Sequence, residues 1–247
     1  MALLCDDRRY KVRVTRKGKD IRAAQRLRYT AFMGGDAPAG LDHDVYDSVC
    51  HHVLIEDTGT GRLVCCFRML PLTDGRDIIR SYSAQYYELS SLKKYKGPMV
   101  EMGRFCIHPD EHHPDILRVA WGAMARFVDD NGIELLFGCS SFKGTDAEDY
   151  LDAFAMLKEC HLAPRRWLPK VKAPSVFRFA QKLRRRKPDV KQAMLRMPPL
   201  LRTYLLMGGW VSDHAVVDRQ MNTLHVFTGV EINAIPAARK RLLRAVA

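Results

Sequence analysis

The chain has 247 residues, 47% of them hydrophobic, which is enough for one large domain or one domain with an extension. No apolar run approaches the roughly 20 residues of a membrane-spanning helix, which argues against an integral membrane protein. Residues 1–7 also lack the basic start and hydrophobic stretch of a secretory signal, so we expect a cytoplasmic protein.

The positions of the cysteines and histidines indicate whether disulfide bonds or a metal site should be expected. The seven cysteines are odd in number and include no C-x-x-C pair, which predicts free thiols rather than a disulfide framework. The histidines at 108, 112 and 113 lie in a stretch interrupted by proline and not one turn apart on a helix. We therefore expect no bound metal.

The first third of the chain is predicted to form strands and one helix. Residues 10–16 have strand character, and Asp20 is expected to cap a helix that runs to residue 32. Residues 52–56 and 63–70 are predicted strands. The sequence Asp-Thr-Gly-Thr-Gly between them is typical of a hairpin turn, so we expect the two strands to pair.

The middle of the chain alternates between strands and helices. Residues 86–95 are predicted to be helical and 99–107 to form a strand. A helix is expected from residue 114 to 131, where Asn131-Gly132 stops it, and residues 133–138 form a continuous apolar strand. Strand, helix and strand together predict a parallel βαβ unit.

The last third combines further elements with a strongly basic segment. A helix is predicted over residues 200–207 and a strand over 224–230. The net charge of +12 is concentrated in residues 165–196, where twelve lysines and arginines accompany a single acid, Asp189. This density predicts an acidic protein, an anionic membrane surface or a nucleic acid as partner, the alternative being a solvated basic face. Because the chain has no nucleic-acid-binding motif, we expect no nucleic-acid partner.

Charged residues interrupt two otherwise apolar strands. Glu101 and Arg104 lie in one, Arg68 ends the other, and Asp44 and Asp47 precede both. Charged side chains are seldom buried unless they are paired or functional. We expect these groups to converge on a polar cleft where a carboxylate takes a proton from an attacking amine; a structural ion-pair network is the alternative. Glu101 and Arg104 face opposite sides of an ideal strand, so both reach one site only if a bulge re-aims it.

The order of elements resembles the GNAT-type acyl-CoA N-acyltransferase fold, an α/β fold with a mixed, mostly antiparallel sheet. The resemblance implies a central pair of parallel strands that splay apart and admit the pantetheine arm of a thioester donor. It also implies a donor phosphate at the N-terminus of the helix that starts near Pro114, with Arg118 one turn inside. We expect an acyltransferase core in residues 1–162 and a helical basic extension in residues 163–247 that completes the sheet and contacts carrier protein or membrane.

The polar positions taken together resemble the acyl-homoserine-lactone synthase family. Its members carry an arginine four residues before a phenylalanine, a D-x-x-D cluster, an arginine at the end of the third strand and an E-x-x-R-F sequence. The matching residues here are Arg28 and Phe32, Asp44 and Asp47, Arg68, and Glu101 to Phe105.

The C-terminal third resembles a sister family, the ornithine lipid synthases, which are acyl-carrier-protein-dependent ornithine N-acyltransferases. Pro198 to Gly209, Asp218 and Asn222 to Phe227 carry this resemblance. It implies transfer of a 3-hydroxyacyl chain from acyl carrier protein to the α-amino group of ornithine, giving lyso-ornithine lipid. The carrier's phosphopantetheine thioester would be the co-substrate, with no other cofactor, and a peripheral contact with an anionic membrane would ease product delivery.

Three alternatives stay open: the same chemistry on glutamine or lysine, a homoserine-lactone synthase and, from another class, a nucleic-acid-binding protein. Within the acyltransferase interpretation, Glu101 is the expected base, and Arg104 assists a backbone N–H in stabilising the oxyanion. Arg28 or Arg68 would hold the acceptor's carboxylate, and two aspartates its distal ammonium. The expected acceptor-binding residues are Arg28, Phe32, Asp44, Asp47 and Arg68, and the expected donor-binding residues are Phe105, Ile107, Arg118 and Ser140.

Overall fold

The computed structural model describes residues 2–6, 9–34 and 40–244, with side chains described in 9–34 and 40–241. Its strands are β1 (Ala2–Asp6), β2 (Tyr10–Thr15), β3 (His51–Asp57), β4 (Leu63–Leu72), β5 (Tyr87–Glu88), β6 (Met99–Ile107), β7 (Leu135–Lys143), β8 (Lys170–Val171), β9 (Val176–Phe177), β10 (Trp210–Val211), β11 (Ala215–Asp218) and β12 (Thr223–Glu231). Its α-helices are α1 (Gly18–Met33), α2 (Pro114–Asp130), α3 (Leu151–Cys160), α4 (Phe179–Lys182), α5 (Val190–Arg196), α6 (Pro199–Leu206) and α7 (Ala237–Arg244).

The chain divides into two compact units. The first contains Met1–Pro71, Met102–Ile133 and Ala237–Ala247, and the second contains Leu72–Glu101 and Glu134–Pro236. Strand β6 therefore belongs to the second unit as far as Glu101 and to the first from Met102 onward. The expected boundary between residues 162 and 163 concerns function and stays a prediction.

The first unit is built on the antiparallel strands β1 to β4, in chain order, followed by the later part of β6. The predicted hairpin is confirmed, since β3 and β4 pair antiparallel. Helix α1 presents Ala24 and Leu27 to Cys66 of β4 and Cys106 of β6, and these four side chains form one buried cluster. Apolar residues spaced three or four apart lie on one side of a helix, which is why this face is buried.

The second unit has the strand order β6-β7-β12-β11-β9, with β10 also on β12. Strands β6 and β7 run parallel over Met99–Leu135, Val100–Leu136 and Glu101–Phe137, whereas β7 continues to Lys143. The other pairs are antiparallel, and β7 pairs with β12 along its whole length. The predicted mixed sheet with its parallel βαβ unit is confirmed. On one face, Phe142, Phe154, Leu201 and Val226 belong to a core that helices α3, α4 and α6 help to form.

Three local predictions were wrong. Residues 86–95 form the short strand β5 and a 3₁₀ helix at Ser90–Lys94, because the Glu88 carboxylate accepts hydrogen bonds from the Ser90 N–H and hydroxyl and competes with helical bonding. Asp20 does not cap α1, which begins at Gly18; it lies in the first turn and accepts a bond from Thr15 Oγ1. Strand β7 runs over Leu135–Lys143 rather than 133–138, and β12 pairs with all of it.

No helix in the described part of the chain is long and apolar enough to cross a bilayer. The cysteines whose side chains are described, at 50, 65, 66, 106, 139 and 160, have free thiols, as predicted. The side chain of Cys5 lies outside the described residues.

Candidate active site

Glu101 lies where the parallel pairing of β6 with β7 ends, and it is 5% exposed. Its Oε2 accepts a hydrogen bond from the Tyr82 N–H at 2.7 Å. Its Oε1 accepts two, from the Ser83 N–H at 2.7 Å and from Ser83 Oγ at 2.6 Å. Tyr82 and Ser83 lie at the start of the 3₁₀ helix Ser83–Gln85. The first backbone N–H groups of a helix have no partner within the helix, so they can bind a carboxylate. Both carboxylate oxygens are thereby fixed in position.

Ser83 connects this carboxylate to a thiol. The Ser83 hydroxyl lies 3.4 Å from the half-buried Cys139 Sγ while donating to Glu101. The parallel register sets Phe137 beside Glu101, and alternation along β7 brings Cys139 to the same face of the sheet. A hydroxyl that donates to a carboxylate and accepts from a neighbour can pass a proton to that carboxylate. The arrangement therefore suits acid–base chemistry.

In the first unit, Arg28 is at the centre of a buried ion-pair network and is 1% exposed. Its Nη1 and Nη2 donate to the two carboxylate oxygens of Asp47, both at 2.8 Å, in a bidentate contact. Its Nε donates to Asp42 Oδ2 at 2.7 Å, and Nη2 also donates to the Asp42 carbonyl. Gln25 Nε2 adds a bond to Asp47 at 2.9 Å.

Arg68 closes the network from strand β4. Its Nη1 donates to Asp44 Oδ1 at 2.5 Å and to Asp47 Oδ1 at 2.8 Å, and its Nη2 donates to Asp44 Oδ2 at 2.7 Å. Burial acts to raise the pKa of Asp47, but hydrogen bonds from Arg28 and Gln25 outweigh it and hold that pKa below its usual value. Burial likewise acts to lower the pKa of Arg68, which its hydrogen bond to Asp44 nevertheless raises. Asp47 and Arg68 are therefore ionised at neutral pH.

Arg104 departs from strand geometry. Its φ of 54° lies in the left-handed region, which few residues other than glycine occupy. The backbone of β6 therefore departs from regular strand geometry at this residue. From this position Arg104 Nε donates to Asp42 Oδ2 at 3.1 Å, and Nη2 donates to Asp44 Oδ2 at 3.5 Å. Arg104 is therefore a third guanidinium in the network of Arg28 and Arg68.

The remaining predicted residues have diverse environments. Phe32 packs against the buried cluster under α1, and Phe105 stacks on Phe67 with ring centroids 5.7 Å apart. Ile107 is half-buried at the end of β6. Arg118 Nε donates to Asp115 Oδ1 at 2.9 Å at the start of α2, where a carboxylate suits the helix dipole. Ser140, in the second unit, is 5% exposed and accepts a bond from Thr228 Oγ1 at 2.9 Å.

Sequence reasoning missed Asp42, Gln25 and Ser83. Asp42 binds two arginines, and the alternation Asp42-His43-Asp44 could have indicated it, since both acids of such a pattern can face one side. Ser83 gives no such signal, because it reaches Glu101 from 18 residues earlier in the chain.

Comparison with known proteins shows which families this chain resembles. Residues 27–122 match the family model described as Acetyltransferase (GNAT) domain. The chain is 32% identical over 240 residues to the L-ornithine N(alpha)-acyltransferase of Rhodobacter capsulatus, a match that covers 92% of this chain and 91% of that protein. It is also 34% identical over 92 residues to an acyl-homoserine-lactone synthase of Agrobacterium fabrum, covering 35% of this chain and 43% of that one.

Among solved structures, the CoA-dependent acyl-homoserine lactone synthase BjaI with MTA is similar, with a TM-score of 0.50 and 13% identity over 92% of this chain and 82% of that chain. At this identity the likeness concerns the fold alone. The predicted GNAT-type fold is confirmed by the family model and by this likeness.

Proposed function

Because this chain belongs to the family of L-ornithine N(alpha)-acyltransferases, we propose that it transfers a fatty acyl chain to the α-amino group of ornithine. The similarity that carries the proposal extends over 92% of the chain, whereas the match to the lactone synthase covers 35%. The proposed donor is a 3-hydroxyacyl thioester of acyl carrier protein, and the proposed product is lyso-ornithine lipid.

The reaction joins an amine to a thioester carbonyl. The neutral α-amino nitrogen attacks the carbonyl carbon, the C–N bond forms, the C–S bond breaks and the carrier thiol leaves with a proton. The α-ammonium must first lose a proton, so a base is needed. We propose Glu101 as this base, supported by the three donors from Tyr82 and Ser83 that fix its carboxylate. Ser83 would relay the proton to Glu101 when the amine does not contact the carboxylate directly.

The tetrahedral intermediate carries an oxyanion that needs a hydrogen-bond donor. We propose a backbone N–H of β6 beyond Glu101, where the parallel register with β7 has ended. Arg104 remains the predicted helper. Its guanidinium contacts Asp42 and Asp44, so it must exchange one of these contacts in order to reach an oxyanion.

The acceptor's charged groups are proposed to meet the network of the first unit, as the family resemblance implies. Arg28 and Arg68 already bind Asp42, Asp44 and Asp47, so an acceptor carboxylate would displace one aspartate from a guanidinium. A distal ammonium would in turn be drawn to the displaced aspartate. In such an exchange every buried charge keeps a partner of opposite sign. The free-energy cost of leaving a buried charge unpaired is thereby avoided.

A direct assay tests this function. Purified protein is incubated with 3-hydroxyacyl carrier protein and with ornithine, lysine or glutamine in turn, and products are identified by mass. We expect acylated ornithine. Nα-acetylornithine, whose only free amine is the distal one, is the matched control and should give no product. A lactone product, or equal acylation of the blocked acceptor, would contradict the proposal.

A further inference from the structure

Helix α5 and the residues before it form an unusual surface on the second unit. The helix packs against α3, with Ala193 and the following Met197 buried. Its other residues are turned outward. Val190 is 62% exposed, Met194 39% and Leu195 70%. Three large apolar side chains on a seven-residue helix thus have no covering element in the described structure.

The spacing places these side chains on a common outward arc. Val190 and Met194 are one turn apart on a flank of the helix, and Leu195, two residues after the buried Ala193, is roughly opposite the packed face. Lys191 lies between them around the helix. Exposed apolar patches rimmed by polar residues mark protein–protein or membrane interaction sites.

Unpaired cations lie on helix α5 itself and in the segment just before it. Arg184, Arg185, Lys191 and Arg196 are exposed, and none of them has an acidic partner within salt-bridge distance among the described residues. The intervening Arg186 and Lys187 are neutralised instead, by Asp152 and Glu159. The acid Asp189 is occupied as the N-cap of α5, where its carboxylate accepts from the Gln192 N–H. Helix α5 and the segment before it therefore combine exposed apolar side chains with cations that no acid neutralises.

We propose that this surface, the α5 patch (Arg184, Arg185, Val190, Lys191, Met194, Leu195 and Arg196), docks on an anionic lipid bilayer. Apolar side chains on a basic helix surface enter the headgroup boundary while the cations meet lipid phosphates. An acidic protein would satisfy the cations equally well, but a bilayer offers both anionic headgroups for the cations and an apolar phase for Val190 and Leu195. The inference rests on the proposed function in one respect: an amphiphilic product is delivered where the enzyme meets the membrane.

Vesicle flotation of the full chain tests the proposal without any substrate. The wild type should float with vesicles of phosphatidylglycerol and phosphatidylcholine, not with phosphatidylcholine alone, and added salt should weaken this binding. The double variant Val190→Ser/Leu195→Ser should bind at least about tenfold more weakly, because two aliphatic side chains no longer leave water. Replacing Arg184 and Arg185 with glutamine should cost about fivefold per charge.

Leu206→Ser is the matched control. Leu206 is 54% exposed on α6 of the same unit but lies outside the α5 patch, so this variant should bind like the wild type. Absence of wild-type binding to anionic vesicles overturns the proposal, as does equal loss in the control. Weakened binding to acyl carrier protein with unchanged vesicle binding would assign the patch to a protein instead. Acylation measured separately with soluble substrates reports on the proposed function, so failure of one is distinguishable from failure of the other.

Discussion

The carboxylate of Glu101 and the three carboxylates of the ion-pair network are held by different kinds of donor. Three of the hydrogen bonds that hold Glu101 come from uncharged groups, two backbone N–H groups and a hydroxyl. Asp42, Asp44 and Asp47 are each bound by at least one guanidinium, and three arginines balance the three acids. Uncharged donors position a carboxylate without cancelling its charge, whereas guanidinium groups do both. We therefore expect Glu101 to matter mainly for chemistry, and the network to matter for the stability of the fold as well as for the proposed acceptor binding.

The largest effect should follow from removing an arginine of the network. Arg28→Ala leaves Asp42 and Asp47 buried without their main partner, and we expect the free energy of unfolding to fall by about 3–5 kcal/mol. Urea denaturation measures this loss. Arg76→Ala is the control, because Arg76 is 84% exposed in its pair with Asp74, and its loss should leave the free energy of unfolding nearly unchanged. Equal losses in both variants would show that the buried network stabilises the fold no more than a surface ion pair does.

Glu101→Gln should instead reduce turnover by about 100-fold or more while the protein stays folded, since a neutral amide cannot accept the amine proton. Ser83→Ala keeps the backbone donor and loses only the hydroxyl, so a smaller reduction of about tenfold is expected. The measurement is kcat against pH for each variant. If Glu101→Gln retains the wild-type pH profile and rate, the carboxylate has only a positioning role.

The smallest effect is a loss of stability in acid that originates in the network. The folded-state pKa of Asp47 lies below its unfolded value, so its contribution to stability is complete above about pH 5 and disappears as pH falls through the folded pKa. We expect the free energy of unfolding to decrease from pH 5 downward. The slope should be shallower in Asp47→Asn, measured at matched temperature. An unfolding free energy that is flat in this range would show that the ion pairs contribute little.

Much of the fold follows from local patterns in the sequence. The continuous apolar runs around residues 99 and 135 and the amphipathic helix between them predict the parallel unit, because two strands joined through a helix of this length can pair in parallel by a crossover. The interruption of one run by Glu101 and Arg104 correctly indicated groups with special environments. It did not indicate that Arg104 would pair with the acids near residue 44.

The rest depends on contacts distant in sequence. The donors to Glu101 come from a 3₁₀ helix that sequence reasoning placed in no element, and a lone serine carries no periodic signal. Residues 86–95 do not form the predicted helix, because the Glu88 carboxylate accepts hydrogen bonds from Ser90. Helix propensity alone does not predict these bonds. The α5 patch was not predicted, because the sequence of residues 165–196 indicated only a basic segment. Its apolar side chains look like core residues until the packing shows which of them are covered.

The backbone at Arg104 also determines which replacements can teach something about its side chain. At a φ of 54°, alanine or valine would report torsional strain together with the loss of the guanidinium. Glycine or asparagine adopts this conformation with little penalty, so Arg104→Gly and Arg104→Asn isolate the side chain's own contribution. In a saturation library at this codon, tolerance should therefore follow backbone preference rather than chemical similarity to arginine.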